Sequence, residues 1–386
     1  MIDGSTTVRV IEVLFWLSVF GVVYPYLGYP VVLWVLGRFL GRQGRREHEE
    51  ASFYPSVSMI IPVCNEEARI ERKIINTATL RYPADRLQVL FVSDGSTDRT
   101  VELIKMRASE AMTLIELPVR QGKGAALNAG LEHAKHDILV FSDAAIELEP
   151  DALRHIVRGF RDPEVGCISG EDKIAESGGE AWYGRYELLV RRLESKVHSI
   201  VGASGSFYAQ RRELCGPFLE GLAPDFLSVL RTVEQGFRAV SEPEAVGAMT
   251  SVKDSKQEFE RKVRTLIRGM TTLFAYARVL NPIRFGMFAF EVLSHKALRW
   301  SVPFFLVMAL ASSITLLGSP WFNLVVIVQV AFYGAALLAL SGWSYIRHSL
   351  FGKIALYFSM VNAAILVAWF QYGKGVRQEL WTPSQR

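Results

Sequence analysis

The stretch ILVFSDAAIELEPDAL, Ile138 to Leu153, decides the fold. Four apolar residues, Ile138 to Phe141, run into Ser142 and Asp143; two alanines follow, then Glu147 and a helix start at Pro150-Asp151. A short apolar run bounded by turn residues reads as a strand buried on both faces, as in a parallel sheet. It ends in a carboxylate at the sheet's carboxyl edge, where open α/β sheets bind ligands.

The same unit recurs upstream. Ser58 to Val63 reads as a strand with Asn65, Glu66 and Glu67 at its end and a helix over Ala68 to Leu80. Leu87 to Val92 is a second strand, stopping at the turn Ser93-Asp94-Gly95-Ser96-Thr97-Asp98. Thr113 to Leu117 is a third, and Arg120-Gln121-Gly122-Lys123-Gly124 is a glycine-rich basic loop opening the helix Ala125 to Ala134. This alternation predicts an α/β domain with a mostly parallel sheet and helices on both faces. It brings Glu66, Asp94, Lys123 and Asp143 to one edge. Downstream, Val165 to Gly170 reads as a strand and Ala181 to Ile200 as an amphipathic helix. Gly202 to Tyr208 reads as a loop entering a strand, and Phe226 to Gly236 as a helix after Pro224-Asp225. A long helix, Gln257 to Ala277, carries Arg261, Lys262, Arg264 and Arg268.

Half of the residues (50%) are hydrophobic, and the excess lies at the two ends of the chain. Val10 to Leu36 is long and apolar enough to cross a bilayer. Arg9 precedes it and Arg38, Arg42, Arg45 and Arg46 follow, so the positive-inside rule puts the next domain in the cytoplasm. Its length, Pro25 and Pro30 argue against a cleaved signal peptide. In Leu280 to Trp300, Phe285, Phe288, Ala289, Val292, Leu293 and Ala297 share one helical face. Arg284, Glu291, His295 and Arg299 share the other, with Lys296 as the exception. That pattern suits a helix lying at the membrane interface, with packing on the sheet domain as the alternative. Three further spans are expected at 301–317, 322–340 and 354–370. The basic residues between the last two put that loop in the cytoplasm; counting spans then puts the tail outside, against its Lys374, Arg377 and Arg386. The expected organisation is an anchor (1–40), a linker (41–56), the α/β domain (57–279), an interface helix (280–300) and a membrane region (301–386). A net charge of +4 does not suggest a nucleic-acid partner. Cys64, Cys167 and Cys215 lack metal-ligand spacing and read as small buried apolar residues.

Asp143 at a strand end suits a hard cation, Mg²⁺ or Mn²⁺, bridging to substrate phosphates. Lys123 would add positive charge near those phosphates. Asp94 suits a hydrogen bond from a base or ribose. Each of these alone is equally a helix cap or turn former. Trp182 and Tyr186 suit sugar stacking or a core. Arg261, Arg264 and Arg268 suit pyrophosphate contact, a solvated face or lipid headgroups. His198 and His295 have no partner that spacing identifies.

As a set, these stretches resemble family 2 glycosyltransferases with the GT-A fold. The matching segments are IIPVCNEE (Ile60 to Glu67), VSDGSTDRT (Val92 to Thr100), GKGAALNAG (Gly122 to Gly130) and FSDAAIELEPDAL (Phe141 to Leu153). GASGSFYAQRREL (Gly202 to Leu214) is similar to the acceptor-side segment, and Ala223 to Ala245 to the segment carrying the base. Glu258 to Gly269 and Ser294 to Pro303 resemble the basic helix and membrane entry of polysaccharide-making members. The resemblance implies a membrane-embedded inverting transferase with a cytoplasmic GT-A domain. It would move a sugar from a nucleotide-sugar donor, UDP-linked, to a growing polysaccharide or lipid-linked glycan. Pro62, Glu66 and Asp94 would line the nucleoside pocket, with Lys123 near the donor phosphates. Asp143 would begin the D-x-D metal motif, Asp225 would be the base, and Ser204, Gly205 and Ser206 would lie on the acceptor side with Trp182. Membrane lipids and other polysaccharide-export subunits would be partners. Three departures are visible: Ala145 at the third D-x-D position, leaving Glu147 as the substitute ligand; Pro224 before Asp225; and no Q-x-x-R-W motif. A polyprenyl-phosphate sugar transferase and a catalytically degenerate subunit of a synthase complex are the rival readings.

Overall fold

The computed structural model describes residues 4–41, 53–107, 109, 111–174, 179–249 and 255–377. Most of the expected linker therefore lies outside the described residues. Two helices come first, α1 (Gly4–Val23) and α2 (Tyr29–Phe39), joined by a π-turn at Tyr24–Gly28. The sheet domain then runs β1 (Val57–Val63), α3 (Ile70–Ala78), β2 (Leu87–Asp94), α4 (Thr100–Arg107), β3 (Met112–Leu117), α5 (Lys123–His133) and β4 (Ile138–Ser142). It continues with β5 (Glu147–Leu148), α6 (Ala152–Arg158), β6 (Val165–Ile174), α7 (Gly179–Val197), β7 (Phe207–Arg211), α8 (Pro224–Glu234) and β8 (Arg238–Met249). The remaining helices are α9 (Ser255–Ala275), α10 (Pro282–Val292), α11 (Leu298–Thr315), α12 (Pro320–Leu340), α13 (Ser344–His348) and α14 (Leu350–Gly373).

The sheet order is β3-β2-β1-β4-β7-β6-β8-β5. β1 pairs in parallel with β2 and β4, and β2 with β3, as the repeated strand–helix pattern predicts. β7 runs antiparallel between β4 and β6, while β6 and β8 are parallel, giving a mixed, mostly parallel sheet. Every residue of β1 is buried. Its Ile60 joins Leu90, Leu139 and Phe141 in the core under α5 and α8. Met59 and Ile61 join Phe91 and Val140 in a second core under α3 and α6. Successive residues feed opposite faces, so one apolar run supplies two cores. All three cysteines are free; Cys64 and Cys167 are buried and Cys215 is half-buried.

Among the described residues, four helical stretches are long and apolar enough to cross a membrane: Thr6–Phe39, Pro282–Thr315, Pro320–Leu340 and Leu350–Gly373. α1 packs on α11, and α14 on both α9 and α12. The helical face of Leu280 to Trp300 that carries the polar residues is split in its exposure. Arg284 is exposed, but Glu291, His295 and Arg299 are buried. α10 is capped by Asn281, whose side chain accepts from the Ile283 and Arg284 amides, and breaks at Gly286 (φ 48). It then passes through a π-turn, Leu293–Ala297, straight into α11. His295 and Arg299 turn inward where α7 offers carboxylates. Glu194 Oε1 accepts from Tyr29 Oη at 2.8 Å and meets His295 Nδ1 at 2.5 Å. Glu187 meets His295 Nε2 at 3.1 Å and the Arg299 guanidinium. Burial works against the Glu187 charge, yet Arg299 and His295 hold its carboxyl well below the usual range.

Candidate active site

The carboxyl ends of β1, β2 and β4 build one edge. At the end of β1, Asn65 takes a left-handed φ of 53, a conformation that asparagine tolerates. Its side-chain oxygen accepts from the Thr97 amide at 2.8 Å, tying the β1 end to the turn after β2. That turn needs glycine at position 95, where φ is +59 and a Cβ would stand 2.4 Å from the Arg120 nitrogen.

Asp94, expected to line the nucleoside pocket, closes the end of β2. It is fully buried, and its two oxygens accept from the Gln121 amide at 2.6 Å and the Gly122 amide at 2.8 Å. It shapes the glycine-rich loop from beneath. Gly122 (φ 99) then lets the chain enter α5 with Lys123 as its first residue. Lys123 Nζ donates to Asp143 Oδ1 at 2.6 Å and to the Gly205 carbonyl at 3.1 Å. Glu66 is buried beside them; burial pushes its carboxyl up to about 7, against Arg69 and with the Asp143 charge adding to the rise.

Sequence reasoning missed what holds the Asp143 loop. Lys73 of α3 is almost fully buried, and its Nζ donates to Ser142 Oγ and to the Ile146 carbonyl, each at 2.8 Å. One turn on, Asn76 donates to the Leu148 carbonyl at 2.8 Å and accepts from its amide at 2.9 Å. A lysine and an asparagine three apart on one helix thus clamp both sides of the alanine pair. Burial pulls Lys73 down to about 7, against the charges of Asp143 and Glu147. The available signal was a lysine one position before two isoleucines in a helix with an apolar face.

One pocket collects Pro62, Lys123, Asp143, Gly205, Tyr208 and Asp225. Pro224 occupies the first position of α8, where a missing amide costs nothing, and Asp225 follows in the first turn, where the helix dipole favours negative charge. The Asp225 carboxylate lies under 4 Å from where a Gly205 Cβ would stand, so glycine leaves the pocket open there. Arg268 of α9 feels the same carboxylate; burial lowers its pKa, opposed by Asp225 and aided by Arg264, and its Nε is buried without a hydrogen-bond partner.

The other expected site residues separate. Ser204 is buried, donates to both Asp172 oxygens (2.7 and 2.8 Å) and accepts from the Ser206 and Phe207 amides. It ties the loop together from within. The Ser206 carbonyl accepts from the Asp143 amide at 2.9 Å. Arg261 is engaged by Glu258 of its own helix, two contacts at 2.8 Å. The Trp182 side chain lies outside the described residues. Glu147 is exposed and pairs with Arg72 at 3.6 Å.

For a divalent cation, Asp143 offers a carboxylate oxygen in the pocket, and Ala145 supplies none. Among the described residues no three His, Cys, Asp or Glu side chains cluster as a metal cage. This donor set fits Mg²⁺ or Mn²⁺ in the mode where one or two carboxylates share the ion with substrate phosphates and water.

Residues 58–216 match the family described as Glycosyl transferase family 2. The poly-β-1,6-N-acetyl-D-glucosamine synthase of Staphylococcus aureus is 29% identical over 120 residues, 31% of this chain and 29% of that protein. The probable glycosyltransferase YdaM of Bacillus subtilis is 32% identical over 127 residues, 31% of this chain and 30% of that protein. The chain thus spans about three-tenths of the length of these curated relatives. The solved mannosyltransferase PcManGT from Pyrobaculum calidifontis, in complex with GDP-Man and Mn²⁺, superposes with a TM-score of 0.68 at 25% identity, covering 93% of this chain and 98% of its own. The chain carries a glycosyl transferase family 2 domain, built as a GT-A fold.

Proposed function

We propose that the protein is an inverting glycosyltransferase. It takes a sugar from a nucleotide-sugar and places it on a polysaccharide or lipid-linked glycan at the cytoplasmic face of a membrane. The observation that carries this reading is that Lys123, Asp143 and Asp225 line one pocket, although they come from separate elements of the chain. The donor diphosphate lies at Lys123 and Asp143. Asp225, across the pocket, accepts the proton from an acceptor hydroxyl. That oxygen bonds to the anomeric carbon as the bond from that carbon to the phosphate oxygen breaks, and the nucleoside diphosphate leaves. Single displacement inverts the anomeric centre. Lys123 meets the growing negative charge on the leaving group. A divalent ion held by Asp143, with donor phosphates and water, would supply Lewis-acid stabilisation of that charge.

Two donor classes are supported by different observations. The resemblance favours a UDP-sugar; the mannosyltransferase solved in complex with GDP-Man, which matches nearly the whole chain, favours a GDP-sugar. Four apolar helical stretches support an anchored enzyme with one span before and three after the sheet domain. Asp225→Asn tests the mechanism. Transfer should fall at least about a thousandfold with donor affinity kept; retained turnover removes Asp225 as the base. Asp143→Ala should weaken donor binding in Mg²⁺ or Mn²⁺ by about tenfold or more and remove its sensitivity to chelation. Equal binding with and without the ion, in both proteins, contradicts the role given to Asp143.

A further inference from the structure

Lys123 sits on the carboxylate oxygen that a divalent cation would take. Its Nζ donates to Asp143 Oδ1 at 2.6 Å and to the Gly205 carbonyl at 3.1 Å. The pair is largely withdrawn from water, with side chains 12% and 25% exposed. Salt screens such a pair much less than an exposed one, so the contact persists at ordinary ionic strength.

The charges around Asp143 do not favour a cation arriving alone. Lys73 lies beneath the same loop, bonded to Ser142 Oγ and the Ile146 carbonyl, and its charge interacts with those of Asp143 and Glu147. Glu66 is paired with Arg69 at 3.4 Å and Glu147 with Arg72 at 3.6 Å. Ala145 adds no oxygen. The Asp143 carboxylate thus faces two ammonium groups, and a doubly charged ion adds to a local positive excess. An ion on the second carboxylate oxygen would stand within a few ångströms of the Lys123 ammonium and be repelled. A donor diphosphate reverses the balance, because it brings negative oxygens for the lysine and for the ion together.

The two partners differ in what can move. Asp143 is fixed: its amide donates to the Ser206 carbonyl at 2.9 Å, and Lys73 and Asn76 grip its loop at Ser142, Ile146 and Leu148. Lys123 reaches it on a flexible four-carbon stem from the first residue of α5. Turning that stem releases the carboxylate without moving backbone.

We infer that Lys123 is a built-in stand-in for the cation: it occupies Asp143 Oδ1 in the donor-free protein and yields that oxygen only when a donor diphosphate draws its ammonium away. Lysine and ion are alternative partners of one oxygen, so the ion enters with the donor and not before it. This rests on the transferase reading and deepens it by giving the pocket an order of binding.

The experiment follows Mn²⁺ binding to the full chain in detergent by the electron paramagnetic resonance of the free ion, first with no nucleotide present. Lys123→Met and Lys123→Gln should each bind Mn²⁺ about tenfold or more tighter than the wild type. The double variant Lys123→Met with Asp143→Ala should lose that gain, which places the ion at Asp143. In the wild type, UDP or GDP should tighten Mn²⁺ binding about tenfold or more, after subtraction of the ion held by nucleotide alone. Nucleoside diphosphate affinity should fall in Lys123→Met. One substitution then tightens the ion and loosens the nucleotide, whereas a lysine that only supports the fold would weaken both. Equal donor-free Mn²⁺ affinity in the wild type and in Lys123 variants that keep its thermal midpoint overturns the inference. So does wild-type Mn²⁺ binding that is as tight without nucleoside diphosphate as with it, a comparison that needs no variant to fold. Failure of the wild type to bind UDP, GDP or their sugars would sink the transferase reading instead, a result separate from the donor-free comparison.

Discussion

At the scale of single residues, burial decides which carboxylates stay available. Asp225 and Asp143 are half-buried in the pocket, whereas Asp94 is sealed beneath its loop. Glu66 lies between these cases, raised from 4.5 to about 7 by burial. A carboxyl raised on folding binds more protons in the native state than in the unfolded one between those two values. Stability therefore falls as pH rises through that window. Glu66→Gln should stabilise the protein at pH 8 by up to about 2 kcal/mol, allowing for solvent screening, and change little near pH 4. Thermal unfolding of both proteins across that range checks it, and equal pH slopes would contradict it. Lys123 and Asp143 were legible from sequence as residues of the carboxyl edge, because one opens a helix and the other follows a strand there; Asp225 was legible only through the family resemblance. The engagement of Asp94 and Ser204 was not. Both are polar residues in turn-forming stretches, and sequence does not reveal whether a side chain there faces the ligand or its own loop.

At the scale of elements, α3 governs the loop that carries Asp143. Its clamp makes four hydrogen bonds to the segment from Ser142 to Leu148. Lys73→Met should cost about 3 kcal/mol, since bonds from a charged donor are lost and a buried carbonyl is left unpaired. Asn76→Ala should cost about 1 to 3 kcal/mol by the same argument, and both should weaken donor binding while leaving Asp225 in place. Denaturant unfolding and donor titration together check this; full donor affinity in the double variant would show that the clamp does not position the loop. The parallel strands β1 to β4 follow from short apolar runs that end at turns. β8 was harder to read, because Glu242-Pro243-Glu244 interrupts its alternation. The register explains how the sheet tolerates this. Ser169 pairs with Ser241 and Glu171 with Val246, so the interrupting residues fall in an irregularity of the ladder. The inward polar face after α10 was also hidden. Its helical spacing was visible, but the carboxylates it meets lie about a hundred positions upstream on α7.

At the scale of the whole molecule, Glu194 links three parts of the chain. It contacts Tyr29 of α2, His295 of the π-turn and the Val201 amide leading to β7. The apolar helices are thereby fixed to α7 of the sheet domain. Glu194→Ala leaves those buried groups without their partner and should cost about 3 to 5 kcal/mol. A lowered thermal midpoint in detergent checks the loss, and an unchanged midpoint would show that α2 and the π-turn are held by apolar packing alone. The central claim, that this pocket transfers a sugar from a nucleotide donor, is tested most directly by nucleoside diphosphate release. The purified full chain would be supplied with UDP- and GDP-sugars, Mg²⁺ or Mn²⁺ and membrane acceptors. The account predicts acceptor-dependent release from one donor class, lost in Asp225→Asn. Absence of release from every donor, or equal release by the wild type and Asp225→Asn, would contradict it.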